Sequence, residues 1–267
     1  MRVEVLVATM GQNDMSLYEK MNLKTDMIIA NQGGRWHYEE EDHDFGRIRM
    51  ISTDTIGVGV NRNLALELSQ ADILVLSDDD MTYYDCDLKG VIEAFERHPD
   101  ADIIFFGLDY SRNGEVFDKR RCKNKRAYVH NSMKYGACRT AIRREAILRH
   151  SIRFSTLFGG GCLYGSGEDS IFLCNCFFHH LKAYSDSYVL GVCAKDSSSW
   201  FNGYNNKYLF DKGAWLAASF PRHKHLVKWY FIRKFAKLSK KGFFETARLV
   251  NSGIKAYKTL DTYKDEE

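Results

Sequence analysis

Within its first hundred residues the chain alternates short apolar runs with helix-like stretches, and this alternation limits the folds open to it. Residues 3–9 (VEVLVAT), 26–31 (DMIIAN), 48–52, 72–77 (DILVLS) and 103–108 have the length and apolar content of buried strands. Between them, residues 17–23, 61–69 and 88–97 read as helices, the last closed by Pro99. Strand–helix alternation predicts an α/β fold with a mainly parallel sheet flanked by helices. Ligands of such sheets bind beyond the carboxyl ends of the strands. Here those positions are Thr9, Asn31 and the acidic triplet Asp78, Asp79 and Asp80.

The second half is less regular. Residues 139–152 and 168–181 have helical patterns, 188–193 is a strand, and 119–126 (KRRCKNKR) is a basic loop. No internal repeat and no Pro-, Gly- or Ser-rich linker divides residues 1–220, which are expected to form one domain. The N-terminus lacks the apolar stretch of a signal peptide, and no run approaches the roughly 18 apolar residues of a membrane span. Seven cysteines, an odd number, argue against a disulfide framework and for a reducing, cytoplasmic setting. The net charge of +3 conceals an asymmetry. Residues 1–220 hold 26 Lys and Arg against 30 Asp and Glu, whereas 221–267 hold 12 against 5. The last segment is a basic extension on a mildly acidic body.

Three motifs carry chemistry. In residues 74–81 (LVLSDDDM), three consecutive carboxylates close a buried strand. They repel one another there, and a divalent cation with a preference for oxygen ligands relieves the repulsion; the alternative is a solvated turn that caps the next helix. Upstream, residues 57–69 (GVGVNRNLALELS) place Asn61, Arg62 and Asn63 at a helix start, where an arginine can meet a diphosphate or the segment is a capped loop. In residues 165–172 (GSGEDSIF), Glu168 and Asp169 open an apolar helix, either as dipole-stabilised caps or as a general base.

In this order and spacing the motifs resemble the inverting glycosyltransferases of family 2, which have the GT-A fold. The resemblance spans about residues 1–200. It implies a nucleotide site made by Thr9, Asn31, Arg62, Asp78 and Asp79, with Asn31 standing where the family usually has an aspartate against uracil. It further implies Mn²⁺ or Mg²⁺ on Asp80 and Asp78, Asp169 as catalytic base, and Glu168 orienting the acceptor. A histidine metal ligand found late in some relatives has no clear counterpart, Asp196 being a weak substitute. The implied reaction moves a hexose or N-acetylhexosamine from a UDP-sugar to a glycan or lipid-linked acceptor. Residues 197–204 (SSSWFNGY) and 208–213 (YLFDKG) are similar to a bacterial subgroup that builds surface polysaccharides.

Other features carry less. Cys174 and Cys176 lie two apart and so do not share a helix face, which favours core packing over zinc, even with His179 and His180 following. Trp200, Phe201 and Tyr204 suit either a sugar platform or a hydrophobic clasp. Residues 222–244 interleave Leu226, Trp229, Tyr230, Phe231, Phe235 and Leu238 with lysines and arginines, the composition of an amphipathic helix on an anionic membrane surface. The expected location is therefore cytoplasmic, peripheral at the inner face of the membrane. Rival readings are a nucleotidyltransferase, which lacks its glycine-rich loop after the first strand here, and a non-catalytic membrane- or nucleic-acid-binding protein. The acidic triplet offers nothing to nucleic acid.

Overall fold

The computed structural model describes residues 1–195 and 203–263. The elements are β1 (Val3–Met10), α1 (Leu17–Lys20), β2 (Asp26–Gln32), β3 (His37–His43), β4 (Gly46–Thr53) and α2 (Val58–Leu68). There follow β5 (Ile73–Asp78), β6 (Met81–Tyr83), α3 (Lys89–Arg97), β7 (Ile103–Arg112), β8 (Glu115–Arg120), β9 (Lys125–Ala127) and α4 (Val129–Ser132). A 3-10 turn (Ala137–Arg139) leads into β10 (Thr140–Arg143), α5 (Arg144–Arg149), α6 (Glu168–Phe178) and β11 (Ala183–Ala194). Three helices close the chain: α7 (Asn206–Ser219), α8 (Lys224–Ser239) and α9 (Phe243–Ala256).

The strands form one sheet in the order β3-β4-β2-β1-β5-β10-β7-β11-β6, with β8 on β7 and β9 on β11. β4, β2, β1 and β5 are mutually parallel, and β7 pairs parallel with β11. β10 runs antiparallel between β5 and β7, so those two point the same way. Successive side chains of a strand leave opposite faces of the sheet, which gives two apolar layers. Val5, Val7, Met27, Ile29 and Val75 pack with Val91 and Phe95 of α3 on one face. Leu6, Ile28, Leu74 and Leu76 pack with Leu66 of α2 and Phe172 of α6 on the other. Because β2 and β5 flank β1 on opposite sides, the chain reverses its winding there, and the carboxyl ends of β1 and β5 open on the crevice where such sheets bind ligands.

Most expected strands are present with slightly longer bounds. The expected helix over 139–152 is instead a turn, strand β10 and the short helix α5. Residues 140–143 fill the gap between β5 and β7, and ladder hydrogen bonds outweigh a local preference for helix. The expected helix 168–181 ends at Phe178, where His180 takes a left-handed backbone with φ of 60°. The basic segment 119–126 is not a simple loop, since Lys119 and Arg120 end β8 while Lys125 and Arg126 begin β9. Cys174 and Cys176 are both core residues, and all seven cysteines are free.

Helices α7, α8 and α9 share a third apolar cluster with Phe158, Tyr164 and Ile171. Two glycines let α7 and α9 touch backbone to backbone. A β-carbon on Gly253 would lie 1.9 Å from the carbonyl oxygen of Phe210, and one on Gly213 would lie 2.1 Å from that of Val250. Gly253→Ala is therefore expected to cost about 2 kcal/mol or more by overpacking. Gly242→Ser, at an open position before α9, should cost nothing. Urea unfolding of both variants checks this, and equal stability would show that the two helices do not pack so closely.

Candidate active site

The centre of the site is a buried guanidinium. Asn61 anchors the start of α2 to the strand ends by donating to the carbonyls of Ala30 (2.5 Å) and Thr9 (3.1 Å). Asn63 exchanges hydrogen bonds with the backbone of Phe154, at 2.9 and 2.8 Å. Between these anchors Arg62 lies over the Phe154 ring and reaches three carboxylates. It donates to Asp78 of β5 at 2.9 Å, and to Asp169 at 2.6 Å and Glu168 at 3.2 Å, both at the start of α6. Burial disfavours the Arg62 charge, but Asp169, Asp78 and Glu168 outweigh it and raise its pKa well above the usual value.

Each carboxylate has a defined environment. Asp169 Oδ2 accepts from the Ala137 amide at 3.0 Å, and Asp169 lines a small apolar cavity together with Leu76, Phe154, Phe172 and Leu173. Burial pushes Asp169 up to about 6, with Arg62 pulling the other way and the charges of Glu168 and Asp78 adding to the rise. Asp78 Oδ2 accepts from the Cys138 thiol at 2.9 Å, and burial and the adjoining carboxylate raise that thiol's pKa, so it remains a donor. Asp79 accepts from the Thr9 hydroxyl at 2.5 Å. Asp80 keeps solvent access, yet partial burial and then the charge of Asp78 push it up to about 6, partly offset by a hydrogen bond from Cys193.

Helix α7 grips the segment that carries Asp169. Gly165 donates its amide to Asp211 at 2.9 Å, Lys212 Nζ reaches Ser166 Oγ at 3.0 Å, and Trp215 Nε1 donates to Ser170 Oγ at 2.7 Å. Gly167, with φ of 122°, lies under the Trp215 ring, where a β-carbon would approach Cδ1 to 2.5 Å. Burial lowers Lys212 to about 8, while the charges of Glu168 and Asp211 hold it up.

Arg62, Asp78, Glu168 and Asp169 are thus brought into mutual contact, with Thr9, Asp79 and Asp80 beside them. Asn31 lies at the end of β2, paired with Thr9. It is buried, its Oδ1 accepts from the Gln12 amide at 2.9 Å, and its Nδ2 donates to the Gln12 carbonyl and to Ser52 Oγ. Its side chain fixes the loop after β1. Asp196, Trp200 and Phe201 lie outside the described residues; Tyr204 packs edge-to-face on Tyr208. Cys138, Cys193, Asp211, Lys212, Ser170 and Trp215 escaped sequence reasoning, since the partner of each lies far along the chain. The YLFDKG segment, already singled out, contains two of them.

A divalent cation suits this donor set. Among the described residues no three His, Cys, Asp or Glu side chains form a ready-made metal cage. Magnesium and manganese sites of nucleotide enzymes often take one or two carboxylates and complete their shell with substrate phosphates and water. Asp80 and Asp78 can supply those carboxylates, and the excess of acidic groups over the single Arg62 contact favours a cation.

Comparisons with known proteins bear on the family and the fold. The family model described as "Glycosyl transferase family 2" matches residues 16–154, just over half of the chain. No curated protein matches by sequence. Among solved structures, residues 1–349 of S. aureus TarS in complex with UDP-GlcNAc align with a TM-score of 0.64 at 13% identity, covering 97% of this chain and 81% of that one. The same TarS segment with UDP gives a TM-score of 0.62 at 13% identity, covering 96% and 83%. A longer S. aureus TarS chain gives 0.60 at 12% identity, covering 90% of this chain and 44% of its own. At these identities the likeness is one of fold. The sheet with its reversed strand, the acidic triplet beyond β5 and the family match together show that the chain belongs to glycosyl transferase family 2, on a GT-A fold.

Proposed function

We propose that this chain transfers a hexose or N-acetylhexosamine from a nucleotide sugar to a hydroxyl of a glycan or lipid-linked acceptor, with inversion at the anomeric carbon. The observation that carries the reading is the Arg62 fork, which joins Asp78 on the donor side to Glu168 and Asp169 at the start of α6. UDP-sugars are the first donors to test, because the TarS structures of the same fold hold UDP-GlcNAc and UDP. Thr9 and the loop fixed by Asn31 border the base pocket, and Asp78 and Asp79 face the nucleotide.

In the proposed reaction Asp169 accepts the proton of the acceptor hydroxyl as its oxygen attacks C1 of the sugar. The bond from C1 to the diphosphate oxygen breaks on the opposite face, and the nucleoside diphosphate leaves. Glu168 orients the acceptor. Arg62 keeps Asp169 ionised and in place, so the base is charged at neutral pH despite its apolar surroundings. Mn²⁺ or Mg²⁺, held by Asp80 with Asp78, would neutralise charge on the leaving diphosphate. We place the enzyme at the inner face of the cytoplasmic membrane, attached through residues 222–244, where a lipid-linked acceptor would be presented.

Four measurements test the assignments. Asp169→Asn should bind UDP as the wild type does yet lose transfer by about 10²-fold or more. Wild-type kcat/KM should fall as pH drops through about 6, because the base must be ionised. Near-normal turnover of the variant would place the base elsewhere. For the metal, Mn²⁺ should raise the melting temperature of the wild type and leave Asp80→Asn unmoved. Without metal, Asp80 has a folded-state pKa above its unfolded value, so its ionisation costs stability as pH rises through about 6. Asp80→Asn should then be more stable than the wild type at pH 8 and equal to it near pH 4. An equal Mn²⁺ shift in both proteins would contradict the assignment.

A further inference from the structure

Helix α8 has two faces of different chemistry. Residues 222–244 contain eight Lys and Arg and no Asp or Glu. Facing inward, Ile232 and Phe235 are buried, and Phe231 and Phe235 pack against Trp215 with ring centroids 5.0 and 6.5 Å away. At 3.6 residues per turn, Leu226, Trp229, Tyr230, Arg233 and Lys237 share the opposite side. There Leu226 is 78% exposed, Tyr230 67% and Trp229 50%. Phe244, at the start of α9, is 87% exposed and continues the patch, because Phe243 stacks on Trp229 at 6.1 Å and touches Phe244 at 5.7 Å. The helix therefore docks on the body with one set of aromatic side chains while a second set remains in solvent.

We propose that the outer face of α8, together with Phe244, is a docking surface for an anionic phospholipid bilayer. The inference rests on the membrane location proposed above and names the face and residues that mediate it. Leu226, Trp229, Tyr230 and Phe244 enter the interfacial layer, while Arg233, Lys234, Lys237 and Lys240 meet the headgroup charge. Charge complementarity selects this occupant. A second copy presenting the same face would set like charges against each other, and nucleic acid offers phosphates to the lysines but no apolar layer for Leu226 and Phe244. Orientation follows from the packing: α8 rests on Trp215, whose indole holds Ser170 next to Asp169. The bilayer face of α8 therefore lies on the side of the helix turned away from α7.

Vesicle sedimentation of the full chain tests this with phosphatidylcholine alone and with equal phosphatidylcholine and phosphatidylglycerol. The wild type should bind the anionic vesicles and only weakly the neutral ones. The double variant Leu226→Ser, Tyr230→Ser should lose about tenfold or more in affinity for the anionic vesicles. Lys234→Gln with Lys237→Gln should lose about fivefold per lysine. All altered side chains are exposed, so melting temperatures should match the wild type, which separates lost docking from lost folding. Wild-type affinity in the Leu226 and Tyr230 variant would overturn the assignment of this face while leaving a membrane location intact. Failure of the wild type to bind either vesicle would overturn both, and transfer to a soluble acceptor would show that the catalytic reading stands without them.

Discussion

The site depends on one buried guanidinium. Arg62 is held from both sides by Asn61 and Asn63, supported by the Phe154 ring, and committed to carboxylates from two separate elements. Without it, Asp78, Glu168 and Asp169 would lie together in a partly desolvated crevice with their repulsion uncompensated, and removal of one partner from a buried ion cluster typically costs about 3–5 kcal/mol. With it, the carboxyl end of β5 and the start of α6 are drawn into one constellation. The apolar surroundings raise the proton affinity of Asp169 and the fork lowers it. The balance near 6 leaves a carboxylate that is ionised at neutral pH yet more basic than a solvated aspartate, as the proposed role requires.

The rest of the fold supports that arrangement mechanically. The parallel strands bring Thr9 and the acidic triplet to the same edge, and the 3-10 turn before β10 supplies both the Ala137 amide to Asp169 and the Cys138 thiol to Asp78. From the other side α7 fixes residues 165–170 through Asp211, Lys212 and Trp215. Gly213 and Gly253 allow α9 to clamp α7 at close range. The C-terminal helices thus contribute to the shape of the site although none of their residues is placed in the reaction.

Much of the scaffold was legible because strands buried on both faces are written as uninterrupted apolar runs. β1, β2, β5 and β7 announced themselves in that way. β3 (HYEEEDH) did not, since an edge strand paired only with β4 can be almost wholly charged. β10 was hidden inside a helical pattern, because its conformation is imposed by the slot between β5 and β7. Within the site, the triplet and the Glu168–Asp169 pair could be read as local clusters. Their connection through Arg62 could not, as Arg62 and the Glu168–Asp169 pair are more than a hundred positions apart. Asn31 was legible as a residue at the end of β2; the bonds of its amide to the backbone of Gln12 and the hydroxyl of Ser52 were not, because those partners are distant in sequence. In the basic tail, composition could not separate packing from exposure, and α8 does both on opposite faces.

The central claim is that Arg62 sets the protonation and position of Asp169, and the acid limb of the pH–rate profile in Arg62→Gln tests it most directly. Loss of the neighbouring positive charge should raise the pKa of Asp169, the proposed base, moving the limb in kcat/KM from about 6 to higher pH by about one unit or more. A limb that stays in place while the rate at its plateau falls would contradict the account, because it would mean that Arg62 acts on something other than the base.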